Sequence, residues 1–97
     1  MLLKKTKLNP ENVQKVANML RLLENEKTFI ILQLLADSNG MYVTDLVIKS
    51  KLVQTEISGI LSKLRKYYIV SCTVEGKHRK YIINVKRFEH ICMIIKN

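Results

Sequence analysis

The chain has 97 residues, 47% hydrophobic and 26% charged, with a formal net charge of +9. That length and composition fit one globular domain with a modest core, exclude a disordered chain, and make a partner subunit a natural source of extra burial. The longest apolar run, Phe29 to Leu35, is broken by Gln33 and falls far short of the ~20 residues of a membrane span, so no membrane partner is expected.

Residues 1–8 read as a flexible basic tail carrying Lys4, Lys5 and Lys7. No apolar block follows these lysines as in a secretory signal, and two cysteines make no disulfide framework, so a reducing cytoplasm is the expected location. From residue 9 to 97 a single folded domain is expected. Asn9 and Pro10 form a helix start, followed by Val13, Val16, Ala17, Leu20 and Leu23 at helical spacing. Asn25 caps a second helix, in which Phe29, Ile30, Ile31, Leu32, Leu34 and Leu35 are apolar nearly all round, as in a central buried helix. Asn39-Gly40 ends it. A short third helix is predicted from about Thr44, as cap, to Ser50, with Leu46 and Val47 inward. After a turn at Leu52, a fourth runs from Gln54 to about Tyr67, with Ile57, Ile60, Leu61, Leu64 and Tyr68 on its buried side.

The period then changes to two. Val70, Cys72 and Val74 face inward on one strand and Tyr81, Ile83 and Val85 on the next, with Gly76 supplying the hairpin turn. From Lys86 a last helix aligns Phe88, Ile91, Cys92 and Ile95. The expected fold class is mainly α with a small β-hairpin: four helices, two strands and a closing fifth helix, the third and fourth helices forming a helix-turn-helix and the hairpin a wing.

Charge is concentrated on that unit. Lys49 to Lys80 holds eight basic and two acidic residues, while outside it and the tail the charges cancel. Clustered positive charge of this kind points to nucleic acid. The outward residues of the fourth helix, Gln54, Thr55, Ser58, Gly59 and Ser62 with Lys63 alongside, are small and polar enough to enter a major groove, and Gln54 can pair with adenine N6 and N7. Gly59 either allows close approach or occupies a tolerant surface position. In the wing, Lys77, His78, Arg79 and Lys80 suit phosphate or minor-groove contacts, and Lys49 and Lys51 suit backbone contacts beside the turn. Arg65 and Lys66 are assigned to the helix dipole, and Cys72 and Cys92 to the core, with a redox-switching dithiol as the alternative.

Three segments, LLENEKTFIILQLL, LVQTEISGILSKLRKYYIV and VEGKHRKYII, are similar to ArsR/SmtB-type winged-helix transcriptional regulators, over about Leu23 to Ile83. The resemblance implies a homodimer paired through the first and last helices, bound to double-stranded DNA at an inverted-repeat operator, and released by an inducer, most often a metal ion. The apolar faces Val13, Val16, Leu20 and Phe88, Ile91, Ile95 would be partly exposed in one copy and covered by such a dimer. Where many metal-sensing members carry two cysteines before the third helix, this chain has Tyr42-Val43-Thr44, and Glu89-His90 lacks the second pair that the other family site needs. A phenol and an alcohol cannot replace two thiolates for a soft metal, so no metal site, no cofactor and no identified inducer are expected. The isolated His78 and His90 make no zinc site, and no nucleophile with a base or phosphate-cradling loop suggests an enzyme. The expectation is a DNA-binding regulator acting as a repressor; the alternative is a winged helix used as a protein-interaction module.

Overall fold

The computed structural model describes residues 10–96, with side chains as far as Met93. Five helices surround a small sheet: α1 (Pro10–Glu24), α2 (Glu26–Ala36), β1 (Met41–Tyr42), α3 (Val43–Ser50), α4 (Gln54–Lys66), β2 (Val70–Glu75), β3 (His78–Ile83) and α5 (Val85–Lys96). The sheet is antiparallel in the order β1-β3-β2, with Met41 opposite Tyr81 and Val70 opposite Ile83. The winged helix-turn-helix expected from the sequence is present, with one strand more than the hairpin supplies. Two residues are too short a stretch for alternation to register, so β1 has no periodic signature.

The core lies where α2, α3 and α4 meet the sheet, through Ile31, Leu35, Leu46, Ile57, Leu61, Leu64 and Ile69, with Met41, Val70 and Tyr81 closing its strand side. Asn25 caps α2 as expected: its Oδ1 accepts from the backbone N–H of Lys27 at 2.9 Å and of Thr28 at 3.3 Å. The all-round burial expected of α2 is corrected, because Phe29 is 59% exposed; Thr28, Ile31, Leu32 and Leu35 are buried and Leu34 packs partly against the core. The third helix begins a residue before Thr44, with Tyr42 at the cap position and no side chain closing it. Asn9, the expected cap of α1, and the basic tail lie outside the described residues.

The helix-turn-helix corner is formed by Lys51, in the left-handed region at φ +63°, whose N–H bonds to Val47 O at 3.0 Å, while Leu52 N donates to Ser50 Oγ at 3.1 Å. Leu52 then packs partly against the core. Val53 caps α4 without a side-chain bond, at a position where Ser, Thr, Asn or Asp is worth about 1 kcal/mol over an apolar residue.

Helix α4 ends in two turn bonds, Tyr68 N to Arg65 O and Ile69 N to Leu64 O, both 3.0 Å, with Tyr68 left-handed at φ +61°. This is a Schellman cap, in which the residue after it packs back on the last helical turn. Ile69 and Leu64 are accordingly both fully buried, while Tyr68 is 73% exposed. The expectation that Tyr68 continues the buried stripe is corrected for that reason: the helix has ended and the chain has reversed. Strand β3 likewise ends at Ile83, so Val85 is an exposed helical residue rather than an inward strand position, and Val74 is exposed near the hairpin tip. Asn84 becomes the cap of α5 and ties the wing to α4: its Oδ1 accepts from Arg87 N at 3.2 Å, its N–H donates to Ile69 O at 2.8 Å and its side-chain amide donates to Tyr68 O at 3.3 Å.

Candidate nucleic-acid interface

Helix α4 stands as a ridge between two troughs. On one side Gln54, Ser58, Ser62 and Arg65 line a cleft of about 410 Å³ with Lys77, His78 and Arg79 of the wing. Tyr42 and Thr44 close its end. On the other, Thr55, Gly59, Lys63 and Lys66 line a broader depression against Arg21 of α1 and Lys27 of α2. These are two stripes of the same helix, each stepping by four, four and three residues, as α-helical geometry requires. All six residues expected to read DNA from α4 are exposed, but they divide between the two troughs. A helix with side chains is about 10–12 Å across and the B-DNA major groove about 12 Å wide, so a ridge flanked by troughs suits insertion.

The structure revises two assignments. Arg65 belongs to the cleft facing the wing, although its place in the last turn of α4 also suits the dipole. The available sequence signal was the period: Arg65 lies eleven positions, about three turns, beyond Gln54. Lys80 goes the other way. It is paired with both Tyr42 and Thr73, on the face of β3 opposite buried Tyr81, and does not line the cleft. The Lys80 stem lies over Gly40, whose φ of +113° and lack of a side chain leave room for it: a Cβ there would meet Lys80 Cε at 2.9 Å and Ile82 Cγ1 at 2.8 Å.

At the tip, Gly76 and Lys77 form a two-residue turn between the paired Glu75 and His78, with positive φ at Gly76. The tip is braced by Tyr42, whose hydroxyl donates to Glu75 Oε2 and whose ring meets His78 edge-on at 5.8 Å. The bond to Glu75 raises the Tyr42 pKa above its ordinary 10.0, with smaller contributions from desolvation and from the charges of Glu75 and Asp45. Lys27 forms an ion pair with Glu56. Both acids within the basic segment are therefore engaged, and among the described residues none of its eight bases forms an ion pair. Glu75, bonded to a neutral phenol, keeps its charge, but the bases of the segment outnumber it and the field over α4 and the wing stays net positive, which favours a polyanion.

The expected interface between two copies is corrected at Ile91, which is 3% exposed and already part of the core of one copy. Val13 is exposed, and Val16, Leu20 and Phe88 are half-buried. The side chain of Ile95 lies outside the described residues. Cys92 is exposed, correcting its assignment to the core, because Ile91 and not its neighbour turns inward; Cys72 packs against the core as expected. No group of three or more His, Cys, Asp and Glu side chains that could hold a metal occurs among the described residues, and no helix there is long and apolar enough to cross a membrane.

Fold and site define a winged helix-turn-helix of the kind found in transcriptional regulators. The structural neighbours are ArsR/SmtB-type winged-helix transcriptional regulators. NolR from Sinorhizobium fredii is 26% identical, with a TM-score of 0.66 over 94% of each chain. The transcriptional regulator HlyU from Vibrio vulnificus is 25% identical, with a TM-score of 0.66 over 99% of this chain and 97% of its own. AntR, an antimony-specific transcriptional repressor, shares the fold at 23% identity and a TM-score of 0.65, over 97% and 90% of the two chains. No protein-family model and no curated protein matches the sequence.

Proposed function

We propose that this chain is a homodimeric, sequence-specific DNA-binding transcriptional regulator that acts as a repressor. Residues 9–97 form its single winged-helix domain and 1–8 a basic tail. The observation that carries the reading is the ridge of α4, polar on both flanks and set beside a wing whose bases have no ion-pair partners among the described residues. Gln54, Thr55, Ser58, Gly59, Ser62 and Lys63 enter the major groove. Lys77, His78 and Arg79 hold the backbone or minor groove, and Lys80 attracts phosphate from the far face of the wing. The regulators HlyU and NolR support the reading through whole-chain similarity, and AntR lends it the repressor role by analogy. The common cysteine pair is replaced by Tyr42-Val43-Thr44, so any inducer acts through other chemistry than thiolate binding of a soft metal there.

Selection of bound sequences from random duplex DNA tests the proposal. The expected result is an inverted repeat with half-sites about 34 Å apart, one helical turn. Gln54→Ala and Ser58→Ala should each relax one half-site position, at about 1–3 kcal/mol of discrimination. Arg79→Ala should weaken all duplexes alike and flatten the salt dependence by about 0.9 for each phosphate it no longer neutralises. No motif, with a flat salt slope, would instead favour protein interaction.

A further inference from the structure

We infer that Val53 is a base-reading residue, taking the C5-methyl group of a thymine in the major groove. The inference rests on the proposed entry of α4 into that groove and goes beyond it by assigning an apolar contact to a residue outside the polar stripe. Val53 stands directly before Gln54, at the cap position of α4, with extended backbone at φ −72° and ψ 141°. Its side chain is 59% exposed and is not among those packed on the core, whereas Leu52 before it and Ile57 after it point into the fold. A valine there makes no cap bond, and Glu56, placed where a capping-box acid would reach back, gives its carboxylate to Lys27 instead. The Val53 carbonyl accepts from Ile57 N at 3.1 Å, but its side chain serves neither the core nor the helix end. What remains is two exposed methyl groups beside Gln54, at the N-terminal end of the α4 ridge.

In helix-turn-helix docking the N-terminal residues of the reading helix meet the base edges. The only apolar feature that the major groove displays is the thymine methyl. Gln54 next in sequence suits adenine, so the two residues together would read the same or an adjoining A·T pair from its two chemically distinct sides. Burying two apolar groups against each other excludes water, and the thymine methyl alone accounts for about a four-fold gain in affinity.

The test uses the operator recovered by selection, with each thymine exchanged singly for uracil, which removes the methyl and leaves pairing intact. One position in each half-site should lose about four-fold in wild-type affinity. Val53→Ser, which offers a cap oxygen and no matching apolar surface, should bind the thymine and uracil duplexes equally at that position while melting no lower than wild type. A motif that shows no uracil effect anywhere, or a V53S variant that keeps the wild-type uracil penalty, overturns the inference and leaves the proposed function standing. Failure to recover any motif overturns both.

Discussion

At the scale of single residues, two hydroxyls lead in opposite directions. Thr28 is fully buried at the start of α2, and its Oγ1 has no hydrogen-bond partner among the described residues. A buried hydroxyl without a partner has given up its hydration for nothing, so Thr28→Val, nearly the same in shape, should raise stability by about 1–2 kcal/mol in urea denaturation. Tyr42 is the contrary case, since its hydroxyl is engaged by Glu75 and its pKa is raised. A raised folded value means that the contribution is complete below the ordinary pKa of 10.0 and is lost as pH rises through the folded value. Melting temperatures recorded against pH should show the advantage of wild type over Tyr42→Phe constant at neutral pH and shrinking in the alkaline range. An advantage unchanged through that range would show that the bond does not brace the wing.

At the scale of elements, the end of α4 decides how the wing is aimed. The Schellman bonds turn the chain, Ile69 locks onto Leu64, and Asn84 and Arg87 fasten the far end of the hairpin to the same corner, Arg87 Nε donating to Tyr67 O at 3.1 Å. The left-handed residue in this cap is a tyrosine, which costs on the order of 1–2 kcal/mol relative to glycine. Tyr68 is exposed and gives little in return through packing. Tyr68→Gly should therefore stabilise by about 0.5–1 kcal/mol in denaturant titration with the wing position unchanged, glycine's greater unfolded-state freedom taking back part of the gain. Gly59 offers a second check on α4. A Cβ there would meet nothing within 4 Å, so Gly59→Ala should gain close to 1 kcal/mol from helix propensity. A gain in stability with a loss of DNA affinity would separate close approach from mere tolerance at this position.

At the scale of the whole molecule, the terminal helices have little to hold them in one copy. Leu22 is the single buried residue of α1, and among the described side chains of α5 only Ile91 is buried. Isolated helices of this length are marginal in water, so most of their stability must come from an apolar partner. The proposed second copy would cover Val13, Val16, Leu20 and Phe88. Leu20→Glu should convert a dimer to a monomer in sedimentation equilibrium. Binding to the inverted repeat should fall on the order of a hundred-fold, because the second half-site no longer benefits from the first. A variant that remains dimeric would move the interface elsewhere.

The sequence by itself determined the inward and outward faces within α4, the Asn25 cap, the Gly76 turn and the concentration of positive charge, because each is written in local residue identity or short-range period. Ile57, Leu61 and Leu64 had to be inward and Gln54, Ser58 and Ser62 outward wherever α4 was packed. Tertiary structure alone decided what lay beyond that range. Strand β1 exists only because Met41 and Tyr42 find β3. Arg65 joins the cleft because the wing folds across it, and Lys80 leaves it because it lies on the face of β3 opposite Tyr81, which lines the cleft together with Arg79. Tyr68 and Cys92 are exposed, and Ile91 buried, because a chain reversal and a docking angle set those positions. Periodicity says which residues share a face, and the packing of one element against another says what that face meets.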